Sequence, residues 1–288
     1  MKVTKDILKE IYKKRLPESK KYDFGLLMVI GGSEFYSGSP ALTALSAFRA
    51  GCDMVRIIAP KRAADIIASF SPNLAAYPLK GKILNKECLA TLLSMTESAK
   101  AVSNGKSAVV IGGGVGRSKQ TQEVIRDFLT QVSSPVVIDA DAIHALNKNS
   151  KIISGKPFLI TPHSYEFFVL TDRKVYNLPE EEKIKAVQEE AARLKTTILL
   201  KGKTDIISDG KKVVLNETGN PFMTVGGTGD TLAGICGALM ARGIDPFLAA
   251  QAGAFINGLA GELASKKFGE SMMATDLIET IPEVIKDV

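Results

Sequence analysis

The chain has 288 residues, of which 45% are hydrophobic and 24% are charged, enough for a large core in one domain or in two smaller ones. Its formal net charge of +6 is concentrated in residues 1–21, where eight Lys and Arg residues outnumber three acidic ones. Nucleic-acid-binding proteins usually interleave basic and aromatic residues across a working face, whereas this chain has one basic segment and no Trp, so we expect a solvated surface there and no nucleic-acid partner.

The basic N-terminal segment is predicted to form a helix over residues 1–21. Its apolar residues recur at helical spacing, so one face should be buried while the lysines stay in water. We therefore expect this helix to pack on the domain or on a neighbouring subunit. The apolar stripe consists of Ile7, Leu8, Ile11 and Tyr12.

Beyond this segment, short apolar runs alternate with helical patterns. The sequence predicts strand 26–30, helix 40–50, strands 54–59 and 108–111, helix 120–132, strands 135–138 and 158–160, helix 180–194 and strand 197–200. A hairpin over 205–208 and 212–215 follows, and then helices over 228–241, 245–267 and 274–285. This alternation predicts an α/β fold with a mostly parallel central sheet and helices on both faces, as a single domain over residues 1–288.

Polar residues or glycines follow nearly every predicted strand at its carboxyl end. In an open parallel sheet these ends meet at one edge, where ligands bind. Each of these residues alone is explained by an ordinary turn, but their agreement from strand to strand predicts a shared site at this rim. They are Ser33, Gly116, Asp139, Asp141, His163 and Lys201.

Cysteine usage and hydropathy indicate the compartment. The residues Cys52, Cys88 and Cys236 are too far apart in sequence for a metal knuckle and lie in apolar settings, which fits a reducing compartment. No apolar run reaches the ~18 residues that a membrane span needs, and the N-terminus lacks the apolar segment of a secretory signal. We expect a soluble, cytoplasmic protein without a membrane partner.

The most informative segment is residues 226–230, Gly-Gly-Thr-Gly-Asp, at the start of the predicted helix 228–241. Free backbone N–H groups and the helix dipole make such a turn suitable for a phosphate. An aspartate there would repel phosphate, but it is explained if Asp230 takes a proton from a hydroxyl that attacks a phosphoryl group. The alternative is that Asp230 caps the helix, since Asp is a good N-cap residue. Three glycines, a Thr and an Asp together favour the catalytic interpretation.

With these residues in view, the chain resembles the ADP/ATP-dependent NAD(P)H-hydrate dehydratases of the ribokinase-like superfamily, over roughly residues 22–285. The resemblance rests on an ordered series of motifs: VIGGS at 29–33, YSGSP at 36–40, GGGVG at 112–116, VIDADA at 137–142, TPHSYE at 161–166, LKGKTD at 200–205, NETGN at 216–220 and GGTGD at 226–230. The chain departs from the family pattern at four positions. It has Gly113 and Val115 where Pro and Leu are common, Ser39 where Ala is common, and Tyr165 where Gly is common.

The resemblance implies a ribokinase-like fold and a repair enzyme, a carbon–oxygen lyase, for NADH or NADPH that has been hydrated on the nicotinamide ring. Members of the family phosphorylate the ring hydroxyl from ADP or ATP with Mg²⁺ and then eliminate phosphate to restore NAD(P)H. The implied partners are NAD(P)H hydrate and an adenine nucleotide, with Mg²⁺ as the cofactor. The family is commonly oligomeric, so a homo-oligomer such as a tetramer is expected.

The resemblance also implies roles for individual residues. Asp230 is the implied base, and the backbone N–H groups of the turn formed by Gly227, Thr228 and Gly229 would stabilise the transferring phosphoryl group. Glu166 is the implied carboxylate that helps to hold Mg²⁺ through water, with an exposed helix acid as the equal alternative. The implied substrate-binding residues are Ser39, Gly116, His163 and Asp230, and the implied nucleotide-binding residues are Lys201, Gly202, Lys203, Thr204, Asp205, Gly229 and Asn257.

Structural alternatives stay open for several of these residues. His163 is alternatively a turn residue and Asn257 a helix-packing residue. Asp139 and Asp141 either bind waters of Mg²⁺ or cap the next helix, and the cap is favoured for Asp141. Two other functions also stay open. A small-molecule kinase of the same superfamily, acting on a vitamin precursor or a sugar, would leave a stable phosphorylated product, and Asp230 argues against a non-catalytic nucleotide-binding protein. A dinucleotide-binding dehydrogenase is weaker, since residues 112–116 lack the Gly-x-Gly-x-x-Gly spacing.

Overall fold

One continuous sheet forms the centre of the computed structural model, which describes residues 1–286 and residue 288. Its strands are β1 (Leu26–Ile30), β2 (Met54–Pro60), β3 (Ala75–Leu79), β4 (Ser107–Ile111), β5 (Val136–Ile138), β6 (Phe158–Ile160), β7 (Thr197–Leu200), β8 (Asp205–Ser208) and β9 (Val213–Asn216). The helices are α1 (Asp6–Ile11), α2 (Gly38–Arg49), α3 (Lys61–Phe70), α4 (Leu89–Val102), α5 (Lys119–Gln131), α6 (Asp141–Ala145), α7 (Ser164–Thr171), α8 (Glu180–Leu194), α9 (Thr228–Ala241), α10 (Pro246–Phe268) and α11 (Ala274–Ile285). Short 3₁₀ helices cover Lys86–Cys88, Ser150–Ile153, Pro221–Thr224 and Gly269–Ser271.

The strand order of the sheet is β3-β2-β1-β4-β5-β6-β7-β8-β9. Neighbouring strands from β3 to β7 are parallel, whereas β8 is antiparallel to both β7 and β9. The chain runs outward from β1 to β3 and then crosses back to β4, so the strand order reverses between β1 and β4. Such a switch point opens a crevice at the carboxyl edge of the sheet, where ligands bind in open α/β sheets.

Alternate residues of each central strand belong to two separate apolar cores. In β1, Leu27 and Val29 face one core, while Met28 and Ile30 face the other. The first core is completed by α1, α2, α3, α9, α10 and α11, and the second by α4, α5, α6, α7 and α8. The predicted α/β architecture, a mostly parallel sheet between two helical layers, is therefore confirmed. Among the helices described, none combines the length and the apolar character that crossing a bilayer requires.

The predicted elements from residue 26 onward are present, with bounds that differ by at most two residues. The predictions leave residues 61–102 unassigned, whereas the structure has α3, β3 and α4 there. β3 lies at the edge of the sheet, is largely exposed and contains Pro78, so it lacks the apolar run of the central strands. The short helix α7, after His163, also lies outside the predicted elements.

The N-terminal helix is much shorter than the predicted 1–21. α1 covers only Asp6–Ile11, and the chain leaves it at Tyr12. Pro17 further along disfavours a helical conformation at the residue before it. Leu8 and Ile11 are buried in the first core, where α1 contacts α10 of the same chain.

Replacing Leu8 by Ser should lower the free energy of unfolding by about 2–5 kcal/mol, because it leaves a cavity and a hydroxyl in the core. Urea denaturation measures this difference. The control is the double variant Lys13→Gln and Lys14→Gln, whose side chains are exposed and whose effect should stay below about 0.5 kcal/mol. Equal unfolding midpoints for Leu8→Ser and the wild type would show that α1 contributes nothing to the core.

Candidate active site at the carboxyl edge of the sheet

Helix α9 begins at the glycine turn, with Gly227 as its N-cap residue in a left-handed conformation (φ 101°). No side chain of residues 1–286 or 288 caps this helix, and the Asp230 carboxylate instead accepts a hydrogen bond from the hydroxyl of Ser39 in α2. The capping interpretation of Asp230 is therefore wrong. Ser39, predicted to bind the substrate, has its hydroxyl on the carboxylate of Asp230. The unpaired N–H groups of the first turn of α9 leave the positive end of its dipole available to an anion.

The environment of Asp230 disfavours its charged form. Burial raises the pKa of Asp230 to about 6, and the negative charge of Asp139 adds to this rise. The hydrogen bond from Ser39 and the ammonium of Lys201 act in the opposite direction. A carboxylate with a pKa of about 6 is mostly charged at neutral pH and accepts a proton more readily than an ordinary aspartate.

The ammonium of Lys201, at the end of β7, contacts two carboxylates from other parts of the rim. Its Nζ donates to Asp139 Oδ1 at 2.9 Å and lies 3.7 Å from Glu166 Oε2. Although burial works against the charged amine, these carboxylates hold the pKa of Lys201 above its ordinary value. Asp139 also accepts a hydrogen bond from Thr161 Oγ1 at 2.7 Å. The contacts tie together the carboxyl ends of β5, β6 and β7.

Glu166 and His163 cap the first turn of α7 reciprocally. His163 Nδ1 accepts hydrogen bonds from the backbone N–H groups of Tyr165 and Glu166 at 3.1 and 3.3 Å, while Glu166 Oε2 accepts one from the backbone N–H of His163 at 2.9 Å. Glu166 is buried, so the alternative of an exposed helix acid is wrong. The imidazole of His163 is half exposed at the rim, and its cap explains why a histidine fits this turn.

The glycine loop after β4 is held by the strand end of β5. A side chain at Gly112, whose φ is 133°, would place its Cβ only 1.9 Å from the carbonyl oxygen of Asp139. At the other end of the loop, Asp141 Oδ2 accepts a hydrogen bond from the backbone N–H of Gly116 at 3.0 Å, and Oδ1 accepts one from Arg117 Nε at 2.7 Å. Asp141 thus anchors the loop, and its side chain makes no helix-capping bond.

A cavity of about 550 Å³ lies between the β7–β8 turn and helices α9 and α10. It brings together six of the seven residues predicted to bind the nucleotide, and Thr204 is not among the residues that line it. Another wall of the cavity is formed by the segment around Pro221–Thr224. The sequence-based assignment misses the 3₁₀ helix in this segment. Turn residues such as Gly219 and Asn220 beside a proline were the available signal. The six predicted lining residues are Lys201, Gly202, Lys203, Asp205, Gly229 and Asn257.

Two polar residues of this cavity shape its walls. Asp205 Oδ1 accepts a hydrogen bond from the backbone N–H of Gly202 at 3.0 Å, which fixes the β7–β8 turn, and burial raises the pKa of Asp205 to about 6. Asn257 is buried, and its Oδ1 accepts a hydrogen bond from Thr231 Oγ1 at 2.7 Å. Its amide also donates to the carbonyl of Thr228 at 3.3 Å. Asn257 therefore both packs on α9 and faces the cavity.

Comparison with known proteins identifies the family. The model of the NAD(P)H-hydrate dehydratase family matches residues 27–283. The chain belongs to this family. The bifunctional NAD(P)H-hydrate repair enzyme of Pyrobaculum aerophilum is 42% identical over 276 residues, which are 94% of this chain and 52% of that enzyme. The ADP-dependent (S)-NAD(P)H-hydrate dehydratase of Cenarchaeum symbiosum is 35% identical over 99% of this chain and 96% of its own length.

A solved structure supports the same relationship. The crystal structure of the ADP/ATP-dependent NAD(P)H-hydrate dehydratase of Bacillus subtilis, co-crystallized with ATP/Mg²⁺, has a TM-score of 0.78 and 25% identity, and the match covers 98% of this chain and 96% of that one. The predicted ribokinase-like fold is thereby confirmed. This member of the dehydratase family spans about half the length of the bifunctional curated relatives that it matches.

In this dehydratase-family chain, Gly112→Ala should cost more than about 4 kcal/mol of folding free energy, since the new methyl group collides with the Asp139 carbonyl. Gly116→Ala is the matched control. Gly116 also has a positive φ of 79°, but its added methyl group meets open space, so only the ~1–2 kcal/mol of a left-handed backbone applies. Denaturation midpoints measure both variants, and equal losses would show that the close packing at Gly112 is unimportant.

Proposed function

We propose that the chain converts hydrated NADH or NADPH back to NAD(P)H by transferring a phosphoryl group from ADP or ATP to the ring hydroxyl and then eliminating phosphate. The observation that carries this proposal is the position of Asp230. A carboxylate with a raised pKa stands at the anion-binding end of α9, beside a cavity of about 550 Å³. A helix N-terminus alone binds phosphate, whereas one with a base can also activate a hydroxyl.

The cavity supports the nucleotide half of this reaction. Its volume of about 550 Å³ lies within the ~300–1,000 Å³ of small-molecule sites. Its walls run from Asn257 and Gly258 on α10 to Thr228 and Gly229 at the head of α9. A nucleotide along these walls brings its terminal phosphate to the N–H groups of α9 and to the ammonium of Lys201.

The first chemical step is phosphoryl transfer. The hydroxyl oxygen of the hydrate bonds to the terminal phosphorus, and the bond from that phosphorus to the bridging oxygen of the nucleotide breaks. Asp230 takes the hydroxyl proton, and the N–H groups of Gly227, Thr228 and Gly229 stabilise the charge on the phosphoryl oxygens. On the side of Asp230 that lies away from the nucleotide cavity, His163 and the Gly116 loop contact the hydrated NAD(P)H.

The second step is elimination. The ring C–O bond breaks with electrons supplied by the lone pair of the ring nitrogen, and phosphate leaves with the former hydroxyl oxygen. The adjacent ring carbon then gives a proton to the released phosphate or to water, and the electrons of that C–H bond restore the C=C double bond of NAD(P)H. With ADP, the products are therefore NAD(P)H, AMP and phosphate. Phosphorylation is needed because hydroxide is a poor leaving group and phosphate is a good one.

The charges at the rim support a divalent cation as the remaining component. Asp139, Glu166 and Asp230 bring three carboxylates to a place that must receive phosphates, and Lys201 balances part of this charge. Within the described residues, no cluster of three or more His, Cys, Asp or Glu side chains could hold a metal ion. The pair Asp139 and Glu166, without Asp230, fits Mg²⁺, which keeps several waters and is held by one or two carboxylates together with phosphate oxygens. Asp139 and Glu166 would hold it through water, and when bound it neutralises phosphate charge.

A relative supports one finer proposal, which concerns the phosphoryl donor. ADP is the proposed donor, because the Cenarchaeum symbiosum relative, 35% identical, is named as ADP-dependent. The homo-oligomer stays a prediction from the family resemblance, and the cytoplasmic location stays a prediction from cysteine usage and hydropathy. Sedimentation velocity of the purified protein would test the first of these two.

The direct test mixes the purified protein with hydrated NADH, Mg²⁺ and either ADP or ATP, and it follows both the absorbance of reduced nicotinamide and the release of phosphate. Equal amounts of NADH and phosphate support the proposal. A stable phosphorylated product without free phosphate would instead identify a small-molecule kinase, and nucleotide binding without turnover would identify a non-catalytic protein.

In the same assay, Asp230→Asn should lower kcat by about 10²–10⁴-fold, because the amide keeps the shape of the side chain but cannot take a proton. Nucleotide binding, measured by calorimetry, should persist. Asp209→Asn makes the same substitution in the β8–β9 turn, away from the site, and should leave kcat unchanged. A near-normal rate for Asp230→Asn would rule out the role of base.

A further inference from the structure

We infer that Ser39 is a positioning residue that orients the carboxylate of Asp230, and that Gly113 is glycine because the Ser39 hydroxyl needs the space. This inference rests on the proposed function, in which Asp230 is the base. The contact of Ser39 with the substrate stays a prediction beside it. The three residues come from α2, from the loop after β4 and from α9, so the arrangement exists only in the folded chain.

The hydrogen bond between Ser39 and Asp230 joins residues 191 positions apart. Ser39 lies in the first turn of α2, and α2 packs tightly on α9: a side chain at Gly234 would meet the carbonyl oxygen of Thr43 at 2.2 Å and Ser46 Oγ at 2.1 Å. This close approach of the two helices fixes the position of the Ser39 hydroxyl relative to the carboxylate. The bond therefore holds Asp230 in one orientation.

Gly113 completes the pocket around this pair. A Cβ atom at position 113 would lie 1.9 Å from Ser39 Oγ and 3.0 Å from Asp230 Oδ1. Gly113 does not have the left-handed backbone that requires glycine at Gly112 and Gly114. Space, rather than backbone conformation, is therefore what excludes a side chain at Gly113. The carbonyl of Gly113 also accepts a hydrogen bond from Gly32 N–H at 2.8 Å, which anchors the loop to the strand end of β1.

The bond has a chemical consequence for the base. Ser39 donates to Oδ1, and the described residues offer no hydrogen-bond donor to Oδ2, so Oδ2 is the oxygen left to accept the substrate proton. Two charged groups act on Asp230 from the neighbouring strand ends, since Asp139 raises its pKa and Lys201 lowers it. The Ser39 hydroxyl lowers the pKa further, by stabilising the charged form.

The first experiment measures kcat/KM against pH for the wild type, Ser39→Ala and Ser46→Ala. The base must be deprotonated, so the acidic limb of the wild type should fall at about pH 6. Loss of the Ser39 hydroxyl should shift the midpoint of this limb to a higher pH, by about one pH unit. Ser46→Ala removes a hydroxyl of the same helix, which donates to the Thr43 carbonyl, and should leave the limb in place. An unmoved limb in Ser39→Ala overturns the inference.

A double-mutant cycle tests the role of Gly113. Gly113→Ala alone should lower kcat/KM more than Ser39→Ala does, because the new methyl group displaces the Ser39 hydroxyl from Asp230. In the double variant the hydroxyl is absent, so the change at position 113 should cost less than it does in the wild type. Losses that simply multiply would show that Gly113 does not make room for Ser39.

A direct titration separates this inference from the proposed function. The pKa of Asp230 is read from the carboxyl signals of ¹³C-aspartate-labelled wild type and Ser39→Ala, with the resonance assigned by its loss in Asp230→Asn. A higher pKa in Ser39→Ala supports the role of Ser39 even if the wild type fails to turn over hydrated NADH. Equal values in an active enzyme overturn the role of Ser39 and leave the proposed function intact.

Discussion

The ammonium of Lys201 stands between two buried carboxylates, and the geometry of the rim depends on it. Its Nζ lies 2.9 Å from an oxygen of Asp139 and 3.7 Å from one of Glu166. Its positive charge therefore offsets the repulsion between the two carboxylates, which is stronger in a buried site than in water. Removing one partner of a buried ion pair typically costs ~3–5 kcal/mol. The same ammonium faces the head of α9, where a side chain at Gly229 would lie 3.6 Å from its Nζ. One side chain thus connects the acidic strand ends to the N-terminus of α9.

The fold explains why these groups meet. The strand order reverses between β1 and β4, so the loops after these strands part and leave a crevice, and α9 begins beside that crevice with its dipole directed toward it. Gly112 and Asp139 pack backbone against backbone, which brings the glycine loop against the end of β5. The result is a helix N-terminus with N–H groups, of the kind that attracts a phosphate, placed beside carboxylates. That combination suits transfer of a phosphoryl group to a hydroxyl better than binding of phosphate alone.

The sequence predicts the local features of this arrangement and the shared edge of the strand ends, but it misses the individual long-range bonds. Apolar periodicity locates the central strands, and the Gly-Gly-Thr-Gly-Asp turn locates the head of α9, because both signals lie within a few residues. The bond from Ser39 to Asp230 spans 191 residues and that from Lys201 to Asp139 spans 62, so no local pattern reveals either. Apolar periodicity also fails to predict β3, since an exposed edge strand need not bury either face. The basic N-terminal helix is overpredicted because its charge pattern continues after the apolar stripe ends.

In the proposed reaction, Asp230 takes the proton of the ring hydroxyl, and the hydroxyl oxygen is phosphorylated before it leaves the ring. The most direct measurement uses hydrated NADH that carries ¹⁸O in its ring hydroxyl, incubated with ADP and Mg²⁺ in unlabelled water, followed by mass spectrometry of the released phosphate. Phosphorylation followed by elimination predicts one ¹⁸O atom in each phosphate formed. Unlabelled phosphate, with ¹⁸O recovered in water, would show that the hydroxyl leaves without accepting a phosphoryl group and would contradict the account.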